Sequence, residues 1–358
     1  MQIYSLAAAA LAVLTFAAMA PRPTFADAKT RISGPHAHEN LAVYFIHGES
    51  AKGPVPLTLQ EALEKGSVRV LETGNVNELA IENTGEEEIF IQSGDIVKGG
   101  KQDRALRTSF VLPPKSGEVP LAAFCVERGR WSARGTESAE AFSSAGEMMP
   151  SREAKLAMRA PVATGAVSDP AGSDRTEAAQ RNQAETSYLR QAEVWESVSK
   201  VQNSLAAGLQ ADVADAESRT SLQLSLENDK LKDARSDYLK ALKSSGEEQD
   251  DIVGYVIAVN GHINSADVYP SNALFRKMWP KLLAAAVTEA IGAGNDEAAA
   301  APSTDGVAKF LAAAETGNAQ EEVVGNISRQ EVRNADKALF VEARRADGAW
   351  VHRNYLAK

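Results

Sequence analysis

Between Leu41 and Glu127 the chain breaks into short runs in which apolar and polar residues alternate, the period of half-buried strands. The first run, 41–47, carries Tyr44 and Phe45 at its centre. A helix signal follows the turn at 53–56. Thr58 and Glu61 stand at capping-box spacing, Leu59, Ala62 and Leu63 form an apolar face, and Gly66 sits where a helix end takes a left-handed residue. Runs at 67–72, 76–82 and 88–92, split by turn clusters at 73–75 and 83–85, predict an antiparallel meander. Strands at 105–112 and 119–127 flank Pro113 and Pro114.

The alternation then stops. Residues 134–173, rich in Ser, Gly, Ala and Pro, predict a long irregular loop of the kind that covers a site. Helical spacing takes over at 174–207 and 212–244. Tyr188, Ala192, Trp195, Val198 and Leu205 line one stripe, and Leu224, Leu231, Tyr238 and Leu242 line another, predicting a long antiparallel helical hairpin within 174–246. Strand signals resume at 252–259 and 262–268 around Asn260-Gly261, a pair suited to a two-residue hairpin turn. A helix capped by Ser271 or Asn272 and kinked or restarted at Pro280 reaches Gly292. An Ala-rich linker at 294–306, a short helix at 307–314 and a hairpin at 339–355 complete the chain. Strand signals on both sides of the helices predict an α+β protein. Its mainly antiparallel β-core comes from 41–133 and 247–293, is closed by 307–358, and carries the helical hairpin as an insert.

The N-terminus changes the expected compartment. Residues 6–20 are almost wholly apolar, too short to span a bilayer comfortably, and Thr24-Phe25-Ala26 offers a cleavage site, so 1–26 reads as a signal peptide and 27–40 as a polar leader. A periplasmic or secreted protein is expected, with no membrane span in the mature chain. The formal charge of −10 becomes −11 when Arg22 leaves with the signal, which argues against nucleic acid as a partner. Cys125 is the only cysteine, so stability rests on packing and not on an internal disulfide.

Two polar blocks concentrate the candidate chemistry. The first runs from Ser93 to Arg104 and holds Asp95, Lys98, Gly99, Gly100, Lys101, Gln102 and Asp103; the second, from Cys125 to Trp131, holds Glu127 and Arg130. Gly94 to Lys101 is no P-loop, because Gly100 intrudes before Lys101 and Gln102 replaces the hydroxyl. Gly99 and Gly100 would let amides face a concavity, with Lys98, Lys101 and Arg104 around it to meet an anion. The bland alternative is an internal ion network of Asp95, Arg104, Glu127 and Arg130, with Trp131 over a guanidinium. Asp103 and Glu127 are the candidates for acid–base work. His36 and His38 belong to the leader, and His47, His262 and His352 are scattered. No metal site or cofactor is expected.

The run from Gly94-Asp95 to Gly99-Gly100-Lys101-Gln102-Asp103-Arg104, Pro113-Pro114, and Cys125-Val126-Glu127 to Gly129-Arg130-Trp131 resembles the bacterial ARG and rhodanese-phosphatase-superfamily-associated protein domain family. The segments 254–260, 274–283 and Trp350-Val351-His352-Arg353 are similar to it as well. The resemblance covers about 41–358 and implies one domain, but brings no settled activity. The expected function is binding of an anionic or polyhydroxylated small ligand by Asp95, Lys98, Gly99, Gly100, Lys101, Gln102, Arg104, Glu127, Arg130 and Trp131, under the loop 134–173. The alternatives are a hydrolase or transferase using Asp103 or Glu127, and a scaffold that docks a protein partner through 174–244.

Overall fold

The computed structural model describes residues 30–159, 173–295, 299–324 and 327–358. The signal segment, residues 160–172 of the expected loop and part of the 294–306 linker lie outside them. An eight-stranded antiparallel sheet forms the larger layer, in the order Arg31–His38, Leu41–His47, Ile252–Val259, His262–Val268, Trp350–Ala357, Ala338–Arg345, Ser328–Asn334, Asn318–Val324. The strands Leu41–His47 and Ile252–Val259 are buried along their whole length because both faces of the sheet are covered. The helix Asn272–Ala293 packs Phe275, Trp279, Leu282 and Leu283 on one face, against Phe45, Tyr255 and Ile257. The helix Thr304–Ala314 places Val307 and Leu311 on the other, against Tyr44, Val256 and Phe340. Asn260 and Gly261 turn the central hairpin with φ of 50° and 77°, the left-handed pair their identities predict.

A six-stranded antiparallel sheet forms the second layer, ordered Phe142–Met148, Asp95–Gly99, Arg104–Leu106, Gly117–Cys125, Glu78–Asn83, Val68–Asn75. A single bridge between Leu71 and Ala141 draws its two edges together into a half-barrel. The helix Leu59–Glu64 seals one side, with the Thr58–Glu61 capping box formed in both directions. A three-stranded sheet, Leu57–Thr58, Ile89–Ile91 and Phe110–Leu112, joins the two layers. The chain is α+β with a β-rich core. Among the described residues no helix is long and apolar enough to cross a membrane.

Five local expectations change. The leader from 31 onward is not loose: Arg31–His38 is an edge strand on Leu41–His47, and its polar composition reflects a half-exposed edge. The described part of 134–173 holds the strand Phe142–Met148 and the helix Arg152–Arg159, hidden from sequence because only the ends of that strand are buried. The helical insert is one long helix, Ser173–Leu209, followed by a broken return. Ser221 caps Leu222–Leu226, and Asn228 caps Asp229–Leu242, so two short polar side chains start helices inside what read as one. Residues 105–112 are two short strands in different sheets, parted at Thr108 and Ser109. The hairpin Asn318–Val324 and Ser328–Asn334 was not foreseen, since its outer strand is polar and exposed.

Candidate functional site

The two polar blocks meet. Asp95–Gly99 and Arg104–Leu106 are neighbouring strands, and Arg104 pairs across the sheet with Cys125. The tight turn between them brings Asp103 under the second block: its N–H donates to Glu127 Oε2 at 3.2 Å, and Val126 N–H donates to its carbonyl at 3.0 Å. Gly100, at φ 54°, permits this turn to close, because a Cβ there would stand 2.2 Å from the Phe142 ring.

Asp103 is the centre of a buried charge network. Its carboxylate accepts from Gly99 N at 3.1 Å, Ser221 Oγ at 2.9 Å, Arg134 Nη1 at 3.1 Å and Arg130 Nη2 at 3.4 Å. Arg130 also donates Nε to Glu127 Oε2 at 2.8 Å and reaches the carbonyls of Gly99 and Gly100. Arg134 extends to Glu137 at 2.9 Å. Burial works against the charge on Arg134, but Asp103 and Glu137 outweigh it and raise its pKa. The segment 126–141 thus forms a roof without helix or strand, pinned by two arginines and by Arg128, whose N–H and C=O both bond Thr220. Burial pushes the Cys125 thiol up to about 11, so it is neutral at ordinary pH and packs as a small apolar group.

Beneath the roof the network is incomplete. Gln102 is fully buried, and neither end of its amide has a partner among the described residues. Arg104 donates Nη1 to the Gln102 carbonyl at 2.7 Å, but its Nε is unpartnered and its Nη2 has only a loose 3.5 Å ion contact with Glu72. Glu127 Oε1 has no hydrogen bond among the described residues and lies 3.5 Å from Arg134. Native interiors leave few polar atoms unpaired, and these five fall on three neighbouring side chains.

Other residues of the expected site point elsewhere. Asp95 binds Lys281 of the helix Asn272–Ala293, Lys98 binds Glu227 at 2.8 Å, and Trp131 is 52% exposed. The Gly99 and Gly100 amides are taken by Asp103 and by the Ala141 carbonyl, so they do not cradle an anion. Lys101 contributes its backbone N–H to Glu72, at 3.2 Å. Sequence reasoning missed Glu72, Arg134 and Ser221, which come from a strand, a loop and a helix cap with no motif of their own.

It also missed a second buried hub. Asp267 Oδ1 accepts from Asn354 at 2.8 Å, its Oδ2 accepts from Tyr255 at 2.8 Å, and His352 Nε2 lies 3.0 Å away, close enough for an ion pair but off the hydrogen-bond axis. His352 Nδ1 contacts Ser109 Oγ at 3.1 Å, and Arg159 reaches Ser93 and Gln330 beside it. Burial acts to raise the Asp267 pKa, but His352, Lys155 and Tyr255 hold it below the usual carboxylate value. Burial lowers Arg159 to about 9. The available signal was Asn264, Ser265 and Asp267, three polar residues in a strand between apolar ones. Of the other histidines, His36 and His38 pack on Phe45 and Tyr238, and His47 bonds Asp251 at 2.8 Å.

No curated protein and no solved structure matches the chain. A family model matches residues 29–356, nearly the whole described fold, including both polar blocks and the hub. The chain belongs to the ARG and Rhodanese-Phosphatase-superfamily-associated Protein domain family.

Proposed function

We propose that this is an exported cell-envelope protein that binds a small polyhydroxylated or anionic ligand through Gln102, Arg104 and Glu127, beneath the roof 126–141. The observation that carries the reading is the cluster of unpartnered atoms on those side chains, all fully buried. An unbonded amide in the interior costs about 1–3 kcal/mol, so a residue whose only work was structural would be better replaced by an apolar one. The set includes donors on Arg104, an acceptor on Glu127 and both kinds on Gln102. Hydroxyl groups, which donate and accept, complement all three, and a phosphate or carboxylate on the same molecule suits the Arg104 edge. The roof is the way in, since backbone bonds tie it at its two ends, Val126 and Glu140–Ala141, while between them it is held by the side chains of Arg130, Arg134 and Thr220. Export is supported by the apolar run 6–20 and the site at Thr24-Phe25-Ala26.

The acid–base alternative narrows to Glu127, because Asp103 has both oxygens engaged while Glu127 keeps Oε1 without a hydrogen bond. A panel of sugars and polyol phosphates, read by ligand-induced change in melting temperature, tests the binding reading. At least one compound should raise the melting temperature of the wild type and leave Gln102→Leu unmoved. Equal shifts in both proteins would remove Gln102 from the site and the reading with it.

A further inference from the structure

A separate cavity of about 320 Å³ opens where the helices Arg152–Arg159, Ser173–Leu209 and Asn272–Ala293 meet. This volume lies at the small end of ligand pockets. Pro150, Val201, Leu205 and Ala293 give it an apolar wall, while Arg152 and Glu289 stand together on its polar side. Glu289 Oε1 accepts from Arg152 N at 3.0 Å and from Asn264 Nδ2 at 2.9 Å, so the carboxylate is held in one orientation. Among the described residues its Oε2 has no hydrogen-bond partner, nor does Oδ1 of Asn264, which is 6% exposed and lies outside the cavity lining. Arg152 Nε is unpartnered too. Lys155, one turn along the same helix, acts on Glu289 through space without an ion pair to it among the described residues.

We propose that this cavity binds a free α-amino acid with a small aliphatic side chain. The open acceptor Glu289 Oε2 suits an ammonium group; Arg152 suits the carboxylate; and the apolar wall takes the side chain. An inorganic anion would leave Glu289 Oε2 unmet, and a metal cation would leave Arg152 unmet. Burial raises the Glu289 pKa, and an arriving ammonium favours its ionised form again.

Titration calorimetry on the full chain with L-leucine, 4-methylpentanoate and 3-methylbutylamine tests the assignment. Leucine should bind, and each analogue, lacking one of the two charges, should bind at least about tenfold more weakly. Glu289→Gln keeps the Oε1 acceptor and removes the second carboxylate oxygen. It should weaken leucine by at least about tenfold while the melting temperature of the free protein holds, and Arg152→Gln should do the same. Gln102→Leu should bind leucine as the wild type does, which separates this cavity from the site beneath the roof. Absence of leucine binding, equal affinity for either analogue, or unchanged affinity in Glu289→Gln would overturn the proposal.

Discussion

The buried cluster of Gln102, Asp103, Arg104 and Glu127 and the hub around Asp267 are both closed to water, yet they are finished to different degrees. In the hub each carboxylate oxygen of Asp267 receives a hydrogen bond; Ser265 Oγ, His352 Nε2 and Arg159 Nη2 are left open, but His352 and Arg159 are each held through another of their nitrogens. In the Gln102–Arg104–Glu127 cluster Gln102 makes no side-chain hydrogen bond at all among the described residues, and two donor nitrogens of Arg104 are unused. A satisfied buried network fixes a fold, whereas an unsatisfied one costs stability and persists when something else engages it. Within the cluster the same line runs between Asp103, which is saturated, and Gln102, which is not.

Substitutions should reproduce that contrast. Asp267→Ala leaves His352, Tyr255 and Asn354 around an empty position in the core and should cost about 3–5 kcal/mol in urea unfolding. Asp103→Ala should cost about as much, because it strands Arg130 and Arg134 under the roof; a loss below about 1 kcal/mol would show that the network does not brace the turn. The acid limb of the stability curve should separate the wild type from Asp267→Asn. The folded pKa of Asp267 is depressed, so its contribution is present above the usual carboxylate value near 3.9 and is lost as pH falls through the lower folded value. Asp267→Asn should therefore lose less stability over that acid range than the wild type does, and parallel curves would place the acid sensitivity elsewhere. Lys98→Ala removes a half-exposed pair with Glu227 and should change stability by less than about 1 kcal/mol.

Most of the β-core was legible because its strands alternate or are wholly apolar and its turns carry Asn260-Gly261, Thr58 and Gly66. The convergence of the two polar blocks was legible as well, from the strand run that separates them. Unreadable were the elements whose exposure is mixed, such as Arg31–His38, Phe142–Met148 and Asn318–Val324, where an edge position replaces the two-residue period with polar residues on both faces. The division of labour among the site residues was also hidden. Asp95 and Lys98 lie in the same motif as Asp103, but strand alternation and the following turn send them to partners on different helices, Lys281 and Glu227. The roof cations and the hub come from segments far apart in sequence, and only packing joins them.

The most direct test is the free energy of unfolding of Gln102→Leu in urea, measured without ligand. A buried amide with nothing to bond should be improved upon by an apolar side chain of similar size, so the variant should equal the wild type or exceed it by about 1 kcal/mol. A loss of about 3 kcal/mol or more, matching Asp103→Ala, would show that Gln102 is part of the brace and that the buried cluster is structural throughout.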